Sequence, residues 1–574
     1  MHSDKTETSY FFTKINNRIL SLCRKIETIK GNTPELIAFV LWCLFHFVVS
    51  AYHERWFDEA VAWQIAKNAT MKDLLFSVPH YEGHPFLWHL ILRPLAKLGV
   101  SYSFALTLTS FVIMGSAVFL VLFKTNIPRI IRLFFPFTYF ILYQYGIIAR
   151  PYCLMTLCFI LLAMAHKERN EHALRYVLIL FLLCLSSAFG IVIACGISLA
   201  WLVEIVRDAK FNIAKLLSDK RIKSLMLLLI LALILVAMII PKEDTFASFS
   251  TKNEMTAKIL FTSFIYTLFA LPADALVTNS LNEESRLLHY SFTRSELISG
   301  VLIGILILSL VVYYGKRKHT LLYILIPHLL FASFSACVYF TIHHIGIWYI
   351  LFFYWLLITV NENGIYAERE SKITLLASQL YGIAGFIIIM ISVYQGINSG
   401  ILDISKDYTY AKQIADYLEE KNLVKYNIMI NWQERSSGSE KYSDFDMSPS
   451  MVFQYMTPAD TINAYLGYNI FYNYFDGDDK AYIDHKVASQ EELDKIISRW
   501  REKGYPDILV GLPNLAYVFG KKDLYNRYVA IFKASENMIW KGYAPFTGNV
   551  YIFMRKDLAE KLGIKAIPKP ALFI

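Results

Sequence analysis

LFFPFTYFILYQYGIIARPYCLMTLCFILLAMA, residues 133–165, is the stretch on which the fold turns. It holds a single charge, Arg150, near its middle. At about 1.5 Å per residue, one straight helix of this length would far exceed a hydrocarbon core of about 30 Å. Lys124, Arg129 and Arg132 precede it, and Lys167, Arg169 and Arg175 follow it. Basic flanks stay on the cytoplasmic side of a membrane. Both ends therefore face inward, and the stretch reads as a hairpin of two helices with Arg150 at its outer tip.

The same reasoning extends along the chain. Residues 176–203 carry Ser186, Ser187 and Gly190 centrally and run into the most basic loop, Arg207 to Lys223, so they form a second hairpin. Residues 320–360 lie between Lys316-Arg317-Lys318 and the pair Arg369 and Lys372, which puts His343 and His344 at a third outer tip. Single spans are expected at about 34–52, 103–123, 224–240, 297–314 and 373–395. The total is about eleven. Residues 1–33 are polar and basic and form a cytoplasmic N-terminus, and the first span reads as an uncleaved helix. An odd number of crossings then places residues 396–574 outside. Loops 53–102 and 241–296 face outward and are long, so the work is expected on that side.

Composition agrees with an α-helical polytopic membrane protein. Apolar residues make up 56% of the 574 and charged residues 18%, against about 45–50% and about 25% in soluble domains. Residues 401–574 hold 22 Lys+Arg against 23 Asp+Glu, so the net +9 belongs to the first 400. Basic excess there reads as topology, and no nucleic-acid partner is expected. No cysteine follows Cys337, so the C-terminal region folds without disulfides. That region alternates strand and helix. Strands are expected at 426–431, 506–512, 528–534 and 549–555, and helices at 407–421 and 489–503. The result is an extracytoplasmic α/β domain, expected to brace the outer loops rather than to bind acceptor.

Four features share the outer face. The first is His53-Glu54-Arg55-Trp56-Phe57-Asp58-Glu59, right after the first span. A carboxylate at a membrane exit is either a general base in a partly dehydrated cavity or solvated interface charge. Residues 60–76 after it have the periodicity of a helix along the membrane surface. The second is the run His80-Tyr81-Glu82-Gly83-His84-Pro85. It matches no strong zinc spacing, so His84 is expected to face a cavity, with no metal or other cofactor indicated. The third is Arg150-Pro151-Tyr152, where Arg150 either snorkels or forks onto a phosphate. The fourth is the turn at His343-His344. Their convergence suggests a site with an acidic part and a cationic part, suited to a lipid phosphate and a hydroxyl.

These residues resemble the GT-C fold, polyprenyl-phosphate-dependent glycosyltransferases, most nearly the protein mannosyltransferase and lipid A aminoarabinose transferase group. The similarity rests on Asp58-Glu59 after the first helix, Glu82-Gly83-His84-Pro85, Ala149-Arg150-Pro151-Tyr152 and the turn His344-Ile345-Gly346. It covers about residues 34–395, the GT-C-like membrane domain. Pro85 is followed by Phe86 where the family usually has a second proline. The resemblance implies inverting transfer of a sugar from a polyprenyl-phosphate donor to a glycan, lipid or protein hydroxyl at the outer face of a cell (inner) membrane. Asp58 takes the position of the catalytic base and Glu59 that of its acidic neighbour. Arg150 is the first candidate for the donor phosphate, with His84 and Arg93 behind it, and Tyr152, His343 and His344 complete the candidate set. The competing readings are a transporter or flippase of lipid-linked sugars and a non-catalytic membrane scaffold whose outer domain binds a partner, but the chain shows no internal repeat, its spans are nearly charge-free at their centres, and a scaffold gives no reason for an acidic pair, an Arg tip and a His tip to converge.

Overall fold

A bilayer offers no partners to backbone N–H and C=O groups, so apolar runs satisfy them internally as helices. In the computed structural model, residues 25–245, 256–280, 294–360, 372–431, 457–472, 502–511 and 526–569 are described, with 21, 482, 491 and 498 besides. Among them, eight helices are long and apolar enough to cross a membrane, and Tyr152–Ala165, Ala173–Cys184 and Leu322–Cys337 are shorter apolar helices. The chain is a mostly helical, polytopic membrane-type protein with a small C-terminal sheet.

The first helix, α1, spans Thr33–Tyr52, with Pro34 at its start, where the missing N–H costs nothing. The second hairpin forms as read: Ala173–Cys184 and Ala188–Asp208 are joined at Ser187, whose hydroxyl accepts from Gly190 N–H at 3.1 Å and caps the second arm. The third hairpin pairs Leu322–Cys337 with Ile345–Thr359 through a short turn at Ile342–His344.

The first hairpin differs from expectation. Its second arm is the helix Tyr152–Ala165, but its first arm is broken into Arg129–Phe134, Phe135–Phe137 and Phe140–Gln144. Pro136 and the wide turn at 140–144 interrupt the ladder, and residues 138–144 are all buried, so the irregular backbone there meets protein rather than lipid.

A second correction concerns 241–296. Within this expected outer loop lies the apolar element Ala257–Leu276, a helix widened by one turn at Tyr266–Ala270. It packs closely on Arg294–Arg317, where a Cβ on Gly304 would collide with the Phe269 carbonyl. Its one acid, near the C-terminal end, is hydrogen-bonded locally. Asp274 accepts from Tyr266 Oη at 2.8 Å, Thr278 Oγ1 at 2.6 Å and Ser280 N at 2.9 Å.

A third correction concerns 60–76. The segment is two helices, α2 at Phe57–Asn68 and a short one at Met71–Phe76, and every residue from Glu59 to Ala66 is buried. The first of the two is wedged into the protein, whereas Met71 and Phe76 of the second are exposed.

The C-terminal region has its own core. β1 (Ile428–Asn431) pairs parallel with β2 (Ile508–Gly511), and β4 (Tyr543–Arg555) lies between β2 and β3 (Tyr528–Trp540), antiparallel to both. Ala411–Glu420 and Thr457–Leu466 pack on this sheet around Ile414, Leu418 and Ile462. The helix expected at 489–503 lies largely outside the described residues. β3 and β4 run much longer than expected and meet in a two-residue turn, Lys541-Gly542, with φ of 46° and 87°. Two positive φ values in a row define the turn whose twist matches a tight hairpin, and Gly542 adopts its value without strain.

Candidate functional site

The exit of α1 is organised by a buried charge network. Glu59, at the third position of α2, is fully buried and accepts four hydrogen bonds. They come from Arg55 Nη1 at 3.0 Å, Ala149 N at 2.8 Å, Trp56 N at 3.0 Å and the His53 ring at 3.3 Å. The bond to Trp56 N–H ties a residue of the first turn back to the cap of its own helix. Arg55 also donates to Ile147 O, Ser103 O and Thr107 Oγ1, and the other ring nitrogen of His53 meets Asp403 Oδ2 at 2.8 Å. Buried charges persist when paired and hydrogen-bonded. Burial alone would raise the Glu59 pKa, but Arg55 and His53 hold it down at about 2. Burial works against a charged His53, yet Asp403 and Glu59 push it up to about 9. Glu54, next in sequence, is pushed up to about 7 by burial, and its Oε2 accepts from Thr409 N at 3.0 Å.

Asp58 has the opposite surroundings. Its carboxylate points away from the network, is 23% exposed and forms an ion pair with the guanidinium of Arg150, itself 14% exposed. The Glu59–Ala149 bond sets this meeting, because it fixes the backbone next to Arg150 against the start of α2. Arg150 lies over the rings of Trp56 at 5.8 Å and Tyr152 at 5.9 Å. Burial lowers its pKa from the ordinary value, and an arginine so placed stays charged. The His343 ring packs on Trp56 with centroids 4.5 Å apart. His344 sits behind Tyr152 and against Phe189, and its Nδ1 accepts from Thr341 N at 2.8 Å. Gly346 allows this turn to close. A Cβ there would strike the Phe140 ring and the Tyr145 hydroxyl, which donates to His343 O at 2.8 Å. His84 reaches the same pocket of charge, close enough to couple with His344 and His89.

The structure thus gathers Asp58, Arg150, Tyr152, His343 and His344 in one cluster, with Tyr152 and His344 buried behind it and His84 near enough to interact with His344. It does not bring Arg93 there. That guanidinium donates to the carbonyls of Ala66 at 3.0 Å and Ala69 at 2.8 Å, and closes the C-terminal end of α2. Glu59, paired with Asp58 in the sequence reading, leaves the reacting set: saturated with donors and sealed from solvent, it builds the frame. Among the described residues no group of three or more His, Cys, Asp or Glu is placed to hold a metal ion.

His53, Arg55, Trp56, Asp403 and Trp540 enter the site region without having been assigned roles from the sequence. The i, i+4 spacing of Arg55 and Glu59 was a visible signal. Asp403 had none, since it reaches His53 from the far end of the helix Lys372–Ser405.

The C-terminal domain sits directly on this region. Tyr465 Oη accepts from Arg55 N at 2.6 Å, and Lys67 donates to Gly467 O at 2.9 Å. The β3–β4 tip inserts among the helices: Gly542 N donates to Ser399 Oγ at 2.9 Å, and Trp540 Nε1 to Asn279 Oδ1 at 2.7 Å. Lys541 donates to the carbonyls of Asp274 and Thr278 at the end of Ala257–Leu276, where the helix dipole favours a cation. Burial brings its pKa down to about 8.

Fold and site together define a polytopic membrane-type protein whose C-terminal α/β domain is docked over an acid–cation mouth. Set against protein-family models, curated proteins and solved structures, the chain matches none.

Proposed function

We propose that the protein is a membrane glycosyltransferase of GT-C type that moves a sugar from a polyprenyl-phosphate donor to a hydroxyl acceptor at the outer face of the membrane. The observation that carries this reading is the meeting of Asp58 with Arg150 in an aromatic-walled mouth above an apolar helical body. Such a mouth offers one carboxylate for a proton and one guanidinium for a phosphate, next to a layer where a lipid chain stays dissolved.

The chemistry divides between these two groups. The donor phosphate competes with Asp58 for Arg150, since a guanidinium fork fits phosphate as well as carboxylate. Drawing Arg150 onto the phosphate frees the Asp58 carboxylate. The acceptor oxygen then attacks the anomeric carbon, its proton passes to Asp58, and the bond from that carbon to the phosphate oxygen breaks. The polyprenyl phosphate departs as an anion on Arg150, so no general acid is required, and a single displacement inverts the anomeric centre. His343, His84 and Tyr152 line the space in which sugar and acceptor meet. Glu59, His53 and Arg55 hold the start of α2 so that Asp58 points outward.

The test is release of polyprenyl phosphate from a panel of polyprenyl-phosphate hexoses, pentoses and aminosugars by the protein in liposomes. Mass spectrometry of membrane lipids and envelope glycans, with and without the protein, identifies the acceptor. At least one donor is expected to turn over. Asp58→Asn is expected to slow it by about 10²–10⁴-fold, the usual contribution of a general base. A folded wild-type protein that releases nothing from any donor overturns the reading, and so does an Asp58→Asn variant with full turnover.

A further inference from the structure

Trp540 is remote in sequence from every residue of the mouth, yet it is fully buried and lies at the tip of a hairpin that belongs to the other domain. Its ring meets Tyr139 edge-on at 5.6 Å, Phe140 at 6.3 Å and His343 at 6.4 Å. His343 in turn packs on Trp56 at 4.5 Å, and Trp56 carries the Arg150 guanidinium on its face at 5.8 Å. The ring positions form a continuous row, Trp540, His343, Trp56, Arg150. Its far end is anchored by the indole N–H on Asn279, by Lys541 on the helix-end carbonyls, and by Gly542 on Ser399. Gln144 lies beneath the row, 3.4 Å from His343 Nδ1, and receives the Tyr139 hydroxyl at 2.8 Å.

A hairpin that served only to hold two domains together would need the three hydrogen-bonded anchors. It would not need an aromatic ring in edge contact with the imidazole that packs on Trp56. Edge-to-face contacts of this kind fix ring orientation, and packed rings pass a displacement on to their neighbours.

We propose that the C-terminal domain completes the site through Trp540, a positioning residue that holds His343 against Trp56 and thereby sets the Arg150 guanidinium for the donor phosphate. The proposal rests on the glycosyltransferase reading for its ligand but not for its geometry. It assigns the C-terminal domain a share in donor binding, beyond bracing of the loops. Loss of the ring leaves His343 less covered and Trp56 less constrained, so Arg150 is presented less well, and the effect falls on the donor more than on the acceptor.

The full-length protein in detergent is compared as wild type, Trp540→Phe and Trp540→Ala. The first readout is independent of activity: the rate at which diethyl pyrocarbonate modifies His343, followed on its peptide by mass spectrometry. It is expected to rise severalfold in Trp540→Ala and to stay near wild type in Trp540→Phe, which keeps a ring but loses the bond to Asn279. The second is the KM for the polyprenyl-phosphate donor against kcat. Alanine is expected to raise KM by about tenfold with a smaller change in kcat, in keeping with the sensitivity of positioned groups to small displacements, and phenylalanine is expected to restore it. If Trp540→Ala does not fold, Trp540→Leu fills the socket without a flat ring and carries the same expectation.

Unchanged His343 reactivity in the alanine or leucine variant overturns the proposal whatever reaction the protein catalyses. Raised reactivity with an unchanged donor KM overturns the link from His343 to Arg150. Absence of transfer by the wild type fails the functional reading instead and leaves the imidazole measurement to decide the role of Trp540.

Discussion

Asp58 and Glu59 are neighbours in the chain, and they head into two differently built regions. Glu59 enters a sealed vault where His53, Arg55 and two backbone N–H groups take up its oxygens. Asp58 enters an open mouth where one cation, Arg150, meets it between aromatic rings. The difference follows from helix geometry. Consecutive positions point about 100° apart on a helix with 3.6 residues per turn, so these two adjacent acids start off toward different surroundings. Here the acidic pair combines one frame residue with one partly exposed residue, and packing decides which is which. The vault is also what makes the mouth possible, because the same Glu59 carboxylate that closes the network holds Ala149 and so delivers Arg150 to Asp58.

Four measurements sharpen or break this contrast. Asp58→Asn should leave the thermal unfolding midpoint near wild type while abolishing most turnover. A large loss of stability instead would move Asp58 into the frame. Glu59→Gln should act first on stability. Removing one partner of a buried pair typically costs about 3–5 kcal/mol, so the midpoint in detergent should fall steeply. A Glu59→Gln protein that is fully stable but inactive would exchange the two roles.

Arg150 is expected to show a smaller and more specific effect. Charge-assisted hydrogen bonds are worth about 1.5–3 kcal/mol, so Arg150→Ala should raise the donor KM by about tenfold or more. Arg150→Lys, which keeps the charge but not the fork, should lie in between. Equal donor KM values for all three proteins would take the phosphate away from Arg150.

The smallest effect concerns pH. In the folded protein His53 titrates near 9, above its ordinary 6.5. Its contribution to stability is full below about pH 6.5 and is lost as pH rises through about 9. Glu59 titrates near 2, below its ordinary 4.5. Its contribution is full above about pH 4.5 and is lost as pH falls through about 2. Unfolding midpoints at about pH 6 and about pH 9.5 should therefore differ more in wild type than in His53→Gln, which lacks the titrating group. An identical alkaline decline in both proteins would show that the vault does not depend on a charged His53.

Much of the helical body was legible in the chain. Long apolar runs with basic flanks marked α1, the two regular hairpins and the single long helices, because hydropathy and the bias of Lys and Arg act locally and need no partner. The small sheet was legible as well, apart from the length of its last two strands. Residues 535–548 carry too many polar positions to read as strand. They extend because the hairpin reaches into the helical body, where Asn398, Ser399 and Asn279 satisfy its polar groups. Ala257–Leu276 was hidden for a related reason: Asp274 and Pro272 break its apolar signal, and only the folded chain supplies the Tyr266, Thr278 and Ser280 donors that make a buried acid tolerable.

The candidate site divides along the same line. Residue type and order were enough to single out Asp58, His84, Arg150 and the His343-His344 turn, because acids, cations and imidazoles at the ends of apolar runs stand out by chemistry alone. The separation of Asp58 from Glu59, the diversion of Arg93 to cap α2, the pairing of His53 with Asp403 and the arrival of Trp540 behind His343 were decided by tertiary structure. Each depends on which groups meet across long stretches of chain, and burial, charge pairing and ring contact come into being only when those stretches pack together.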